Sequence, residues 1–458
     1  MVIGSLRPLA TRTSACLCYS SRAALVVLLL WQARQVHAAP PFPVELPAQL
    51  SLEQALDLFR TRGLDLLIAD AAVFGAQGEL RAAGAIPNPQ LSTGFGRVFN
   101  YSVAGTPGAP CVGCSIYQLG GGLSDQAALE DSLSGKRALR LRVARAALEA
   151  ARLGRADAER TVGFQVKSQY VQVVAPRWAL DFTREVQISL EKTVDLSRLR
   201  YPKVITEGDL ARVEVQKLEA DQNVDQAAQN LRAAQVGLAF LLGVRGPVPD
   251  FEVDRDVVRF RVPSPLRTVN VDTLLTDAMN HRPDLKQAAS AEERAAAALA
   301  LAERQRIPDV SVDTQYVQTG TGQNAVQPPT LTFGFTMTLP VFYQQQGEIL
   351  RAEADRETQA LERTKMVAQV VSDVESALAS FMTAKSLVER MESTLLERAK
   401  RARDVTEIQY KAGSATLIDF LDAERTFIQT NTEYFGDLAN YWAAVFQMEE
   451  ALNVELSS

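Results

Sequence analysis

The chain has 458 residues, with 48 lysines and arginines against 54 aspartates and glutamates, for a formal net charge of −6. That length suits two or three ordinary domains, and an acidic chain without a basic cluster argues against nucleic acid as a partner. Only two histidines occur, which weakens most histidine-dependent catalysis and histidine-rich metal sites before any motif is weighed.

Residues 1–38 read as a secretory signal. Arg7, Arg12 and Arg22 precede a nine-residue apolar run, Ala23 to Trp31, and Val36-His37-Ala38 ends on a small residue. Such a run is too short to span a bilayer. The stretch ahead of it is long for a signal, which allows a start codon downstream of Met1. Cleavage near Ala38 removes four arginines and no acids and moves the net charge to about −10. It also removes Cys16, Cys18 and His37, leaving Cys111, Cys114 and His281. No other apolar run reaches about 18 residues, so a mature chain that enters a membrane must do so as a closed β-barrel.

Residues 39–50 carry four prolines and read as an extended linker. Ser51 then caps a helix that starts at Leu52, with Glu53 in its first turn, and runs to about Ala85. It stops at Ile86-Pro87-Asn88-Pro89. Two strand-like stretches follow, Gln90 to Val103 and Ser115 to Ser124, around a Gly/Pro loop. A long helical region from Lys136 to Tyr201, a break over Pro202 to Gly208, and a return helix from Asp209 to Leu242 complete a first unit, 51–243. Residues 244–270 read as a connector with short strands.

The same order then recurs over 271–458. A helix from Asp272 to Arg306 stops at Ile307-Pro308, and strand-like stretches Asp309 to Gln318 and Thr330 to Phe342 flank a Gly/Gln/Pro loop. The span from Gln346 to Tyr410 holds no proline, and its only glycine is Gly347. It can form one helix of about 65 residues, roughly 95 Å long. Its apolar seam is Val370, Val374, Ala377, Phe381, Ala384, Val388, Met391 and Leu395, an average step of about 3.5 residues that makes helices supercoil. Ala399, Ala402, Val405 and Ile408 then shift the seam. After Lys411-Ala412-Gly413-Ser414 a second helix, Leu417 to Val454, must fold back. Charges recur too often here for a membrane span, as at Lys365, Asp373 and Glu375. Asp65-Leu66 and Asp284-Leu285, Ile86-Pro87 and Ile307-Pro308, Tyr201 and Tyr410, Glu214 and Glu424, and Leu242-Gly243-Val244 and Leu452-Asn453-Val454 mark an internal duplication.

The strands carry a second signal. Leu331, Phe333, Phe335, Met337 and Leu339 alternate with Thr330, Thr332, Gly334, Thr336 and Thr338, and Val310 and Val312 alternate with Asp309, Ser311 and Asp313. That suits a tilted strand crossing an outer membrane, or a half-buried soluble sheet. The first pair is less regular, since Arg97 falls among Leu91, Phe95, Phe99 and Tyr101. Four strands cannot close a barrel in lipid, whereas three copies supply twelve.

In this order and spacing, Pro87-Asn88-Pro89, Ile307-Pro308, Thr338-Leu339-Pro340-Val341-Phe342 and the string from Tyr410 through Gly413, Asp419 and Asp422 to Glu424 resemble the TolC family of outer-membrane efflux proteins, over about residues 45–455. The resemblance implies mixed α and membrane β structure. It implies a homotrimer with a twelve-stranded outer-membrane β-barrel, four strands per chain, continuing into a long periplasmic α-helical coiled-coil barrel. The implied location is the outer membrane of a Gram-negative bacterium. The implied partners are outer-membrane lipid, a periplasmic adaptor (membrane fusion) protein and an inner-membrane RND-type pump. The function would be export without chemistry or cofactor. The sequence is most similar to the heavy-metal, CzcC-like branch, which puts metal cations first as cargo, with drugs, organic compounds or type I protein secretion as alternatives. A soluble periplasmic coiled-coil adaptor is the reading from another class. No P-loop, Ser/His/Asp set or zinc motif supports an enzyme.

The candidate gate residues are Tyr410, Asp419 and Asp422. The two aspartates share one face of the return helix. In the family, matching acids face the tunnel at its periplasmic constriction, and three chains would bring six carboxylates around one axis and select for cations. The plain alternative is favourable acids in a first helical turn. A tyrosine matching Tyr410 holds the family prototype closed, but the arginine near it there is Ala415 here. Lys411, Gly413, Ser414 and Thr416, with Thr206, Glu207 and Gly208 on the other tip, are candidate adaptor contacts, and Gly413 is expected at positive φ. The first tip lacks a glycine matching Gly413 and is one residue shorter, and Leu123-Ser124-Asp125-Gln126-Ala127 replaces the usual turn after the second strand. Cys111 and Cys114 form a CxxC pair that is redox-active, half a metal site or a small loop disulfide, the last being favoured in an oxidising compartment. Arg97, Asp309 and Asp313 are candidate lumen residues, and His281 reads as an ordinary surface or capping residue.

Overall fold

The computed structural model describes residues 46–98, 116–125, 134–203, 205–267, 270–319 and 328–456. The signal, Cys111 and Cys114 lie outside them. In chain order the elements are β1 (Gln49–Leu50), α1 (Leu52–Arg62), α2 (Leu64–Gly84), β2 (Gln90–Val98), β3 (Ile116–Asp125), α3 (Lys136–Arg200), α4 (Glu207–Leu241), β4 (Glu252–Val253), α5 (Val271–His281), α6 (Pro283–Arg304), β5 (Val310–Thr319), β6 (Thr330–Met337), α7 (Gln346–Arg390), α8 (Leu396–Ala412) and α9 (Leu417–Leu452). Helix pair, two strands, long helix and return helix thus occur twice in the same order.

Two expected helices are interrupted and a third carries an irregular turn. The first breaks at Gly63, where the Phe59 carbonyl and ring leave no room for a Cβ. The second breaks at Arg282, because Pro283 takes the first position of a new helix and pushes its predecessor into extended backbone. The third is continuous to Ala412 but contains a π turn, Met391–Leu395. A π turn adds one residue and rotates the following face by about 100°, which accounts for the shift in the seam. Val370 through Met391 are buried as the spacing requires, whereas Leu395 is 49 % exposed and Val405 and Ile408 face solvent. The return helices have 35 and 36 residues.

Residues 46–50 are extended but are not a free linker. Leu50 is buried, and β1 pairs in parallel with β4 of the connector. Tyr170 of α3 fixes that pair: its hydroxyl donates to the Leu50 carbonyl at 2.8 Å and accepts from the Asp254 N–H at 2.9 Å. The main core surrounds this point, with Phe59, Phe381, Tyr441, Trp442 and Phe446 among its largest buried side chains. Gly243 closes α4 at φ +79°, and a Cβ there would lie 2.3 Å from the Arg62 carbonyl oxygen, so the turn requires glycine.

The remaining strands form one antiparallel sheet in the order β2-β3-β5-β6. The register places Leu91 opposite Leu123, Phe95 opposite Leu119, Tyr316 opposite Leu331 and Val312 opposite Phe335. One face therefore carries the apolar side chains, and Leu91, Phe95, Leu119, Leu123, Phe333 and Phe335 are all exposed. The other face carries Ser92, Gly94, Gly96, Gln118, Gly120, Gly122, Asp313, Gln315, Thr332 and Gly334. β6 ends at Met337 rather than Phe342, because Pro340 has no N–H for a ladder. Two expectations fail here. Arg97 lies on the apolar face, opposite Tyr117, with its guanidinium 5.8 Å from that ring. Asp309 precedes β5 and pairs with Lys136 at the start of α3. Asp313 is on the polar face, opposite Gly334.

Candidate functional site

The two hairpins end side by side at their tips. Both return helices start with the same device. Thr206 caps α4 and Thr416 caps α9, and each accepts a 3.2 Å hydrogen bond from the N–H of the aspartate three residues on, Asp209 or Asp419. Each aspartate accepts in return from the threonine N–H, at 3.2 Å and 3.1 Å. These are capping boxes with aspartate in the usual Glu/Gln place. The threonine hydroxyl, and then the threonine N–H, hold both carboxyls below the ordinary aspartate range.

At the end of α8, Gly413 takes φ +77° as expected, and the Ser414 N–H reaches back to the Gln409 carbonyl at 2.9 Å. Tyr410, the last buried residue of α8, stacks on Phe420 of α9 with ring centroids 5.5 Å apart and an interplanar angle of 6°. Val194 of α3, Val213 of α4 and Leu417 of α9 complete the cluster, so the helices of both hairpins share one small core. Burying each such side chain is worth about 1.5–3 kcal/mol.

Arg200, the last residue of α3, crosses to the other hairpin. It donates to the Tyr410 carbonyl at 3.3 Å and the Lys411 carbonyl at 2.9 Å, and its guanidinium stands 5.2 Å from the Tyr410 ring. A cation is favourable at carbonyls that end a helix. The Tyr410 hydroxyl lies 3.5 Å from Ser197 Oγ. Arg200 and Ser197 were not among the sequence candidates. Nothing in their local pattern announces a contact with a residue some 210 positions away, although the Thr-x-x-Asp repeat at 206 and 416 was readable.

The structure does not bring the three candidate gate residues together. Tyr410 is buried against α3 and α9. Asp419 is exposed, with one oxygen committed to its cap. Asp422 is exposed on the wall of a groove of about 560 Å³ between α4 and α9, with Arg212, Val215, Ile418, Leu421 and Arg425. Lys411, Gly413, Ser414 and Thr416 are exposed, as are Thr206, Glu207 and Gly208. His281 is exposed, and its Nδ1 lies 2.9 Å from the Asp277 carbonyl.

A cluster of paired charged side chains lies at the core end of the hairpins. Arg282 and Asp284 are buried. Arg282 donates to Asp284 at 2.6 Å and to Asp373 of α7 at 2.9 Å. Arg160 of α3 lies 3.5 Å from Asp284 and donates to the Glu450 carbonyl of α9 at 2.8 Å. Burial pushes Asp284 up, but the Arg282 hydrogen bonds and the nearby charges outweigh it and hold the carboxyl below its usual range. Among the described residues no group of three or more His, Cys, Asp or Glu side chains is placed to hold a metal ion.

The sequence profile described as "Outer membrane efflux protein" matches residues 274–454. Over those residues the chain is similar to the outer membrane efflux protein family. The cobalt-zinc-cadmium resistance protein CzcC of Cupriavidus metallidurans is 22 % identical over 416 residues, covering 90 % of this chain and 92 % of that protein. The pyoverdine export outer membrane protein OpmQ of Pseudomonas aeruginosa is 26 % identical over 379 residues, covering 79 % and 76 %. The fold is that of solved efflux channels. The open-state MtrE outer membrane channel of Neisseria gonorrhoeae superposes with a TM-score of 0.72 at 18 % identity, covering 88 % of this chain and 89 % of that one.

Proposed function

We propose that the chain is the outer-membrane channel of a tripartite efflux system, receiving cargo from a periplasmic adaptor and an inner-membrane RND-type pump and releasing it outside. The observation that carries this reading is the sheet. It has an exposed apolar face and a polar face, and its outer strands, β2 and β6, have no further partner among the described residues. Such a sheet cannot stand in lipid alone, because unpaired backbone groups are too costly there. Three copies, each supplying four strands from one duplicated helix–strand–hairpin unit, close a twelve-stranded barrel. No described helix is long and apolar enough to cross a membrane. The cargo we favour is heavy-metal cations, because CzcC is similar over nearly the whole of both chains. The relation to OpmQ keeps organic cargo as the second reading.

The tips form the periplasmic gate. Arg200 and Ser197 hold Tyr410 in the closed arrangement, and the exposed residues on either side of Gly413 and Thr206 meet the adaptor. Asp422 has the larger share of cation attraction, since Asp419 is committed to its cap. Protein extracted in detergent should run as a trimer and conduct in planar bilayers. Asp422→Ala should relieve block by divalent cations more than Asp419→Ala does. A monomer without conductance would overturn the channel, and equal block in both variants and the parent would remove these acids from the gate.

A further inference from the structure

Glu424 lies in the seam of the second hairpin, where Leu417, Phe420 and then Glu424 face α8 at helical spacing. It is 3 % exposed, and its Oε2 is buried without a hydrogen-bond partner among the described residues. A buried carboxylate without a partner is costly, and such groups shed their charge instead. The matching position of the first hairpin, Glu214, behaves differently: its side chain is 41 % exposed and accepts from Arg198 at 2.9 Å. The position matching Arg198 in the second hairpin is Glu407. An attractive pair in one hairpin is thus replaced by two acids in the other.

The charged groups facing Glu424 come from α8. Glu407 is paired with Lys411 at 2.5 Å. Arg403 lies 3.0 Å from Asp404, with its guanidinium 4.5 Å from the Phe427 ring. On α9 itself, Asp422 and Arg425 are exposed on other faces. On the α3–α4 side, Lys217 and Asp221 pair with each other at 2.6 Å. Burial, with Glu407 and Asp404 adding to it against Arg403, raises the Glu424 pKa above the ordinary glutamate range.

We infer that Glu424 is a protonation switch in the α8–α9 seam: neutral, it stays packed between the helices and keeps the tip closed, and on losing its proton to water it turns toward Arg403 or solvent and loosens the seam beside the gate. This rests on the gate reading above. The sign follows from the raised pKa. The packed state is favoured at acid pH and loses ground as pH rises from the ordinary glutamate range through the raised value.

The test is hydrogen exchange over residues 400–430 of the purified full-length protein, corrected for intrinsic rates, between pH 5 and 8, with conductance measured in parallel. The parent should lose protection there progressively as pH rises across the range. Glu424→Gln and Glu424→Leu should both remain protected at every pH, and Glu214→Gln should follow the parent. If either stable Glu424 variant keeps the parent's pH dependence, or the parent shows none, the inference falls. If exchange responds to pH through Glu424 while conductance does not, the switch stands and the gate reading fails.

Discussion

The two hairpins have nearly equal helices, turns in corresponding places and the same Thr-x-x-Asp cap, yet their interiors differ. The first is held by ordinary surface chemistry: Arg198 pairs with Glu214 and Gln187 donates to Asp221. The second has a π turn, an aromatic stack at its tip, a buried acid and a positive-φ glycine at its apex. Irregular helix turns and buried unpartnered groups gather where a structure has two arrangements of similar energy. On the proposed gate reading, the difference suits a fixed first hairpin and a moving second one, with Arg200 reaching from one to the other.

The strongest way to break this comparison is at the core end, where the hairpins are joined. Arg282→Met should strand Asp284 and Asp373 and lower stability by about 3–5 kcal/mol, the cost of breaking a buried ion pair. Denaturant unfolding measures it. Because the Asp284 carboxyl is held below its usual range, the stability it contributes is present above the ordinary aspartate pKa and is lost as pH falls through the lowered value. The loss in Arg282→Met should therefore shrink in acid. Next in size is Arg200→Ala, which removes charge-assisted hydrogen bonds at a partly exposed site worth about 1 kcal/mol. It should raise the open probability in bilayers, while Arg198→Ala leaves it unchanged. An equal effect from both would erase the distinction between them. The smallest effect is at the apex. Gly413→Ala, forced to positive φ, should cost about 1 kcal/mol in local protection of α8, read by hydrogen exchange.

Much of this was readable from the residues. Helix ends followed from Ser51 and Gly413, and the strands from their alternation, whereas the break at Pro283 was passed over although proline favours a first helical position. Other features were present in the spacing but obscured by assumptions about charge. Arg97 has the same parity as Leu91 and Phe95 and so had to share their face, although a charge was expected on the polar side. Glu424 follows Leu417 and Phe420 at seam spacing, and it is buried with them. The π turn left a trace as a change of phase after Met391, which a straight helix cannot produce. The Arg200 clamp and the Arg160–Asp284 contact lay beyond reach, since each joins residues far apart in sequence and depends on how the hairpins pack.

The polar face of β2 and β3 offers one last consequence. At Gly94, Gly96, Gly120 and Gly122 it is bare main chain, while Gln315 and Asp313 stand on the neighbouring strand β5. If that face bounds the exit, half of each subunit's wall has no ring to stack on and no charge to trap a traveller. Passage along it would be sorted by bulk alone, and any chemical preference would have to be exercised before the cargo gets that far.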